Sequence, residues 1–141
     1  MFEGGMGNEN PLRGQFSRGA SRTTQSAFQG RIISWLRGVF SAESVNELGE
    51  EVRKHFPRST YWIVDASKLE TFDKGAREVF LKLLQEFGAA GGKGLVLHST
   101  NQLFAMVIQR FANNANIRLT LVRSGPELSA LLQKPLPFET L

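Results

Sequence analysis

Side chains able to do chemistry are concentrated in two short stretches of this chain. The first, within "SKLETFDKGAR", brings Ser67, Lys68, Glu70, Thr71, Asp73, Lys74, Gly75 and Arg77 close together. Hydroxyls, carboxylates and cations alternate there, and a helix opening after Asp73 would add its unpaired N–H groups to the same surface. A surface of both charge signs suits a protein partner. The competing reading is that Asp73 only caps the helix, while the other groups are solvated or bond locally to the backbone. The second stretch is His98, Ser99, Thr100 and Asn101, polar groups at the end of an apolar run, where a small ligand would find donors and acceptors.

Sharper chemistries are weighed against these residues and set aside. Asp65 and Asp73 would suit a cation or a phosphoacceptor, but the first strand supplies no further acid. "GGKG" at 91–94 is not a phosphate loop: Phe87 stands five before Gly92, Gly94 replaces the hydroxyl residue, and the glycines follow a helical pattern. Ser67, His98 and Asp73 would make a hydrolytic set if they met, but no nucleophile elbow surrounds Ser67, and a lone His at a strand end is more often a polar terminus. His55 and His98 have no third ligand at metal spacing. The chain has no cysteine, which removes disulfides, thiol nucleophiles and thiolate metal sites. Phe104, Met106 and Phe111 would suit a lipid pocket, although Phe104, Val107, Ile108 and Phe111 are spaced as an ordinary core stripe. No catalytic residue, metal set or cofactor is therefore assigned.

The elements that must position these residues follow from hydrophobic period. "RTTQSAF" and "RIISWLR" around Gln29-Gly30 predict a hairpin closed by Gly38, and Ser41 caps a helix with Val45, Leu48 and Val52 on one face. Its glutamates, Glu43, Glu47, Glu50 and Glu51, all precede Arg53, Lys54 and His55 at its end, an order the helix dipole favours. Tyr61 to Ala66 is a short apolar run that fits a central strand covered on both faces, followed by a polar, exposed loop over 66–73. Ala76, Val79, Phe80, Leu83, Leu84 and Phe87 then recur at helical spacing, beside an i,i+4 ladder of Lys74, Glu78, Lys82 and Glu86. Glycines end that helix, "LVLH" is a strand, and Thr100 is the expected cap of a helix with Leu103, Phe104, Val107, Ile108 and Phe111 on its face. "IRLTLV" alternates like a strand near a sheet edge, and Ser124 with Pro126 opens a last helix through Leu132.

The resulting order is β-β-α-β-α-β-α-β-α. It predicts an α/β fold, a single-layer mixed and mainly parallel sheet with an N-terminal hairpin. Contacts are expected at the carboxyl ends of its parallel strands. At 141 residues, with 41% hydrophobic and 21% charged residues, the chain reads as one domain over 22–133. Residues 1–21, Gly-rich and aperiodic, are expected to be disordered, and 134–141 to be a tail. The net charge of +4 is spread over seventeen scattered basic residues with no Lys/Arg run, so nucleic acid is not expected. No apolar run is long enough to span or insert into a bilayer, and no signal-peptide layout opens the chain, so a cytoplasmic location is expected.

The succession "IISWLRGVFSAESVNEL", "YWIVDASKLETFDKGAREVFLKLL", "AAGGKGLVLHS" and "IRLTLVRSGPELSALL" resembles the STAS domain of bacterial anti-sigma-factor antagonists and of the cytoplasmic parts of sulfate transporters. The match covers about residues 22–133. It is carried by Gly38, by Asp65-Ala66-Ser67 with Leu69 and Asp73, and by Ala-Gly-Gly-Lys before the next strand. The resemblance implies a non-enzymatic regulatory module that docks a protein through residues 67–77. The partner would be a kinase-type regulator, a transporter complex or a second copy, giving a homo-oligomer. In the antagonists the Asp before this helix is followed by a phosphorylatable Ser, and phosphorylation releases the partner. Here Lys74, Gly75 and Ala76 follow Asp73, and a fixed positive charge replaces the phosphoacceptor, so the usual switch is expected to be missing. Ser67 and Thr71 remain as nearby hydroxyls. The alternatives are a small-ligand or lipid-binding domain using 98–101 and, third, a minor hydrolase.

Overall fold

The computed structural model describes residues 18–25 and 30–132. The strands are β1 (Ala20–Gln25), β2 (Arg31–Phe40), β3 (Tyr61–Phe72), β4 (Gly94–His98) and β5 (Arg118–Val122). The helices are α1 (Ala42–Val52), α2 (Lys74–Ala89), α3 (Gln102–Asn114) and α4 (Gly125–Leu132), with a 3-10 turn at Phe56–Arg58. The strands lie in sequence order, β1-β2-β3-β4-β5; β1 pairs antiparallel with β2 and the rest are parallel. This is the expected mixed single sheet. β1 begins at Ala20, so the boundary expected after residue 21 falls inside a strand. Residues 1–17, 26–29 and 133–141 lie outside the described residues, and with them most of the leader expected to be disordered, the expected hairpin turn and the expected tail.

Steps from strand to strand in one direction with one hand of crossover put every crossover helix on one face. α1, α2 and α3 accordingly share a core with Ile32, Leu36, Trp62, Val64, Leu95 and Leu97. Among the described residues only α4, which is not a crossover, covers the other face, through Leu128, Leu131 and Leu132 against Ile33, Ile63, Val96 and Val122. The α2 stripe read from spacing is buried as expected at Ala76, Phe80, Leu83, Leu84 and Phe87. At the centre Trp62 packs on Phe56, Phe80 and Phe87, and its indole N–H donates to the buried Ser34 hydroxyl at 2.9 Å. Arg53 and Glu86 join α1 to α2 by a bidentate pair, 2.7 and 3.1 Å. Glu86 is thus drawn toward α1. That hydrogen bond holds the Glu86 carboxyl below its ordinary pKa and the Arg53 guanidinium above its own.

Several local expectations shift. Gly38 does not close β2; the strand runs on to Phe40, with Gly38 inside it at φ 85°. α1 ends at Val52, so Arg53 is its C-cap and Lys54 and His55 lie beyond it. α3 is capped by Asn101, whose side chain accepts from the Phe104 N–H at 3.0 Å, and not by Thr100. The buried line of α3 is Ala105, Ile108 and Ala112, so Leu103, expected on the core face, is 76% exposed.

Candidate functional site

The segment expected to be an exposed loop after β3 is instead strand. β3 continues to Phe72, seven residues beyond Asp65, while β2 advances only five from Trp35 to Phe40. The mismatch is absorbed by register shifts between Trp35 and Arg37 and between Gly38 and Val39. Gly38 sits at the second shift with positive φ, a conformation a side chain would strain. Polar composition hid the strand. Beyond Asp65 its partner among the described residues is β2 alone, because β4 stops opposite Asp65 at His98, so the extension needs no second apolar face.

The extension divides the residues read from sequence between two sides. Lys68 turns toward the sheet face beyond α4, where it lines an open cavity of about 340 Å³ with Arg22, Trp35, Arg37 and Asp65. The Arg22 guanidinium lies 4.5 Å over the Trp35 ring there. Glu70, Thr71 and Arg77 line a second cavity, about 190 Å³, with Leu69, Phe72, Ser99, Asn101, Leu103, Phe104 and Val107. This groove joins the two stretches that the sequence kept apart, since Ser99 and Asn101 come from the strand-end set. Its apolar wall was missed as a surface. Phe104 and Val107 have core spacing, and only their position at the opening of α3, past the end of β4, signals that part of the stripe overhangs the sheet.

Within this frame most of the singled-out groups have local partners. Asp73 caps α2, its carboxylate accepting from the Ala76 N–H at 2.8 Å, and Ser41 caps α1 in a capping box with Ser44. Gly75 lies at the contact with Ala42 at the head of α1, where a Cβ would come within 3.2 Å of the Ala42 Cβ. Arg77 Nη1 donates to the Phe72 carbonyl at 3.4 Å. Lys74 is exposed beside the cap. His98 is 6% exposed, and its Nδ1 lies 3.0 Å from Asp65 Oδ1, an oxygen that also accepts from the Ser67 N–H at 3.0 Å. Asp73, the acid of the hydrolytic set weighed and set aside above, is thus engaged by its helix, and the carboxylate at His98 is that of Asp65. Ser99 is buried and its hydroxyl accepts from the Asn101 N–H at 3.1 Å. The cleft lined by Ser99, Thr100 and Asn101 holds only about 60 Å³. Among the described residues no group of three or more His, Cys, Asp or Glu is arranged to hold a metal ion, and no helix is long and apolar enough to cross a membrane.

No family model matches the chain, and no curated protein matches it. Solved structures do. The anti-sigma factor antagonist SpoIIAA in its unphosphorylated form superimposes with TM-score 0.63 at 13% identity, covering 83% of this chain and 100% of that one. The phosphorylated form of Bacillus SpoIIAA gives 0.59 at 13% identity, over 79% and 99%. A SpoIIAA-like protein of unassigned function from Shewanella loihica gives 0.61 at 13% identity, over 81% and 93%. The fold is therefore STAS-like, as the order of elements implied.

Proposed function

We propose that this chain is a STAS-type regulatory module, not an enzyme, that docks a protein partner on the surface formed by the β3 extension, the start of α2 and the groove below them. The observation that carries this reading is the placement of Leu103. A leucine 76% exposed at the mouth of a groove walled by Leu69, Phe72, Phe104 and Val107 gives a partner an apolar anchor. Glu70, Thr71, Arg77 and Asn101 surround it with polar groups of both signs, the arrangement of a small protein interface. His98 is paired with Asp65 and the Ser99 hydroxyl accepts from the Asn101 N–H, which favours this reading over a ligand site there.

Docking on this surface runs without the serine switch. Lys74 occupies the first position of α2, and its charge is opposite in sign to that of a phosphoserine. The fold similarity to anti-sigma factor antagonists supports a protein as the partner class; a kinase-type regulator, a transporter complex and a second copy all belong to it. The test is affinity capture from the source organism with wild-type, Asp73→Ala, Lys74→Glu and Leu103→Glu baits, plus Arg58→Glu, an exposed substitution in the turn that precedes β3. One co-purifying protein is expected to be depleted about tenfold or more by Leu103→Glu and by Lys74→Glu and retained by Arg58→Glu. Equal capture by all five baits removes the proposed surface.

A further inference from the structure

We infer that the free edge of β5 pairs antiparallel with β5 of a second copy, about a two-fold axis at Thr120. The backbone directions set this up. The Arg118 N–H donates to the Lys93 carbonyl, and the Val122 carbonyl accepts from the Ser99 N–H, so residues 118, 120 and 122 turn their polar groups toward β4. Strand alternation turns both backbone groups of Leu119 and Leu121 outward, where no strand among the described residues pairs with them. At either end the chain uses its own outward donors: the Ile117 N–H bonds to the Ala112 carbonyl, and the Arg123 N–H to the Glu127 carboxylate. The open part of the edge is therefore centred on Thr120.

That edge is complementary to itself. With Thr120 opposite Thr120 of the second copy, Leu119 meets Leu121, and each such pair exchanges two backbone hydrogen bonds. Arg118 then falls opposite Val122 and Arg123 opposite Ile117, so no like charges are directly opposed. The side chains of Leu119 and Leu121 lie on the α3 side, in an open groove of about 280 Å³ with Ala105 and Met106. Met106, in the middle of α3 and 57% exposed, stands where two copies would close over the four leucines. Natural sheet edges are commonly blunted by Pro, Lys or a bulge, and "RLTLV" has none of these. The edge is five residues long, so the interface is at the small end of the range and the dimer is expected to be weak, with a dissociation constant of roughly micromolar or above.

Register-specific cross-linking tests the pairing, because the chain has no cysteine of its own. In a non-hydrogen-bonded antiparallel pair the Cα atoms are about 4.5 Å apart, within the range a disulfide spans. Thr120→Cys under mild oxidation is expected to form a covalent dimer at least tenfold faster than Leu119→Cys, whose mate is Leu121, and than Ser129→Cys, an exposed site on α4. In sedimentation the wild type is expected to associate as its concentration rises. Leu121→Pro, which removes an outward N–H and one of the leucines while leaving the hydrogen bonds to β4, and Met106→Glu are expected to weaken that association tenfold or more. Equal oxidation rates at the three positions, or a wild type that remains monomeric throughout, would overturn the proposal. A Met106→Glu variant that associates as well as wild type would do the same.

Discussion

Phe72 ties the β3 extension to the rest of the core, and its truncation tests whether the groove rests on that ring. The ring contacts Phe40 at 5.9 Å, Phe80 at 5.7 Å and Phe104 at 5.2 Å, which links β2, α2 and α3 at one point. A buried Phe→Ala change costs about 3–5 kcal/mol from lost transfer energy and the cavity left behind. Phe72 is 9% exposed at the groove wall, where water can enter the space it leaves, so the low end applies, about 3 kcal/mol. That is a drop of roughly a hundredfold in the folding constant and a shift of about 10–13 °C in Tm for a domain of this size. Phe72→Leu, which keeps most of the volume, is expected to cost less than about 1.5 kcal/mol. Urea unfolding followed by tryptophan fluorescence, to which Trp35 and the buried Trp62 contribute, reads both. A loss below about 1 kcal/mol for Phe72→Ala would refute the assignment of this ring to the core.

Other perturbations read other parts of the account. Phe80→Ala, fully inside the α2 stripe, is expected to cost about 3–5 kcal/mol in the same urea titration. Gly38→Ala places a side chain at φ 85° and is expected to cost about 1–2 kcal/mol, with the loss visible as faster amide exchange across Gly38–Phe40. Asp73→Ala removes the cap of α2 and is expected to cost about 1 kcal/mol by thermal melt. Glu86→Gln weakens the partly exposed pair with Arg53 and is expected to cost no more than about 1 kcal/mol at neutral pH. Because the folded-state pKa of Glu86 is lowered, its contribution is present above the ordinary glutamate range and lost as pH falls through the folded value. The stability difference between Glu86→Gln and wild type should therefore shrink on acidification; a difference that grows would contradict the sign.

What could be read from sequence divides along physical lines. α2 was legible because six apolar residues recur at helical spacing and Asp73 stands at the cap position, and β5 because its alternation fits a strand that has one neighbour among the described residues. The β3 extension was not legible. Ser67, Lys68, Glu70 and Thr71 have loop chemistry, and a segment that pairs on one side only, over register shifts, need not show a buried strand's apolar run. Asn101 and Thr100 are both competent caps, and spacing does not separate them; the Phe104 N–H does. Nor does an apolar stripe at i, i+1, i+4, i+5 fix which of its edges is buried: Leu103 and Ile108 stand about 140° apart around α3, and the buried line falls on the Ile108 side, leaving Leu103 exposed.

The central claim is that the β3 extension, the opening of α2 and the first turns of α3 form one docking surface. Hydrogen exchange on the purified chain, with and without the partner captured by the wild-type bait, tests it most directly. Slowed exchange confined to residues 67–77 and 102–107 is the predicted result. Protection of α1 or α4 with those two segments unchanged would contradict it.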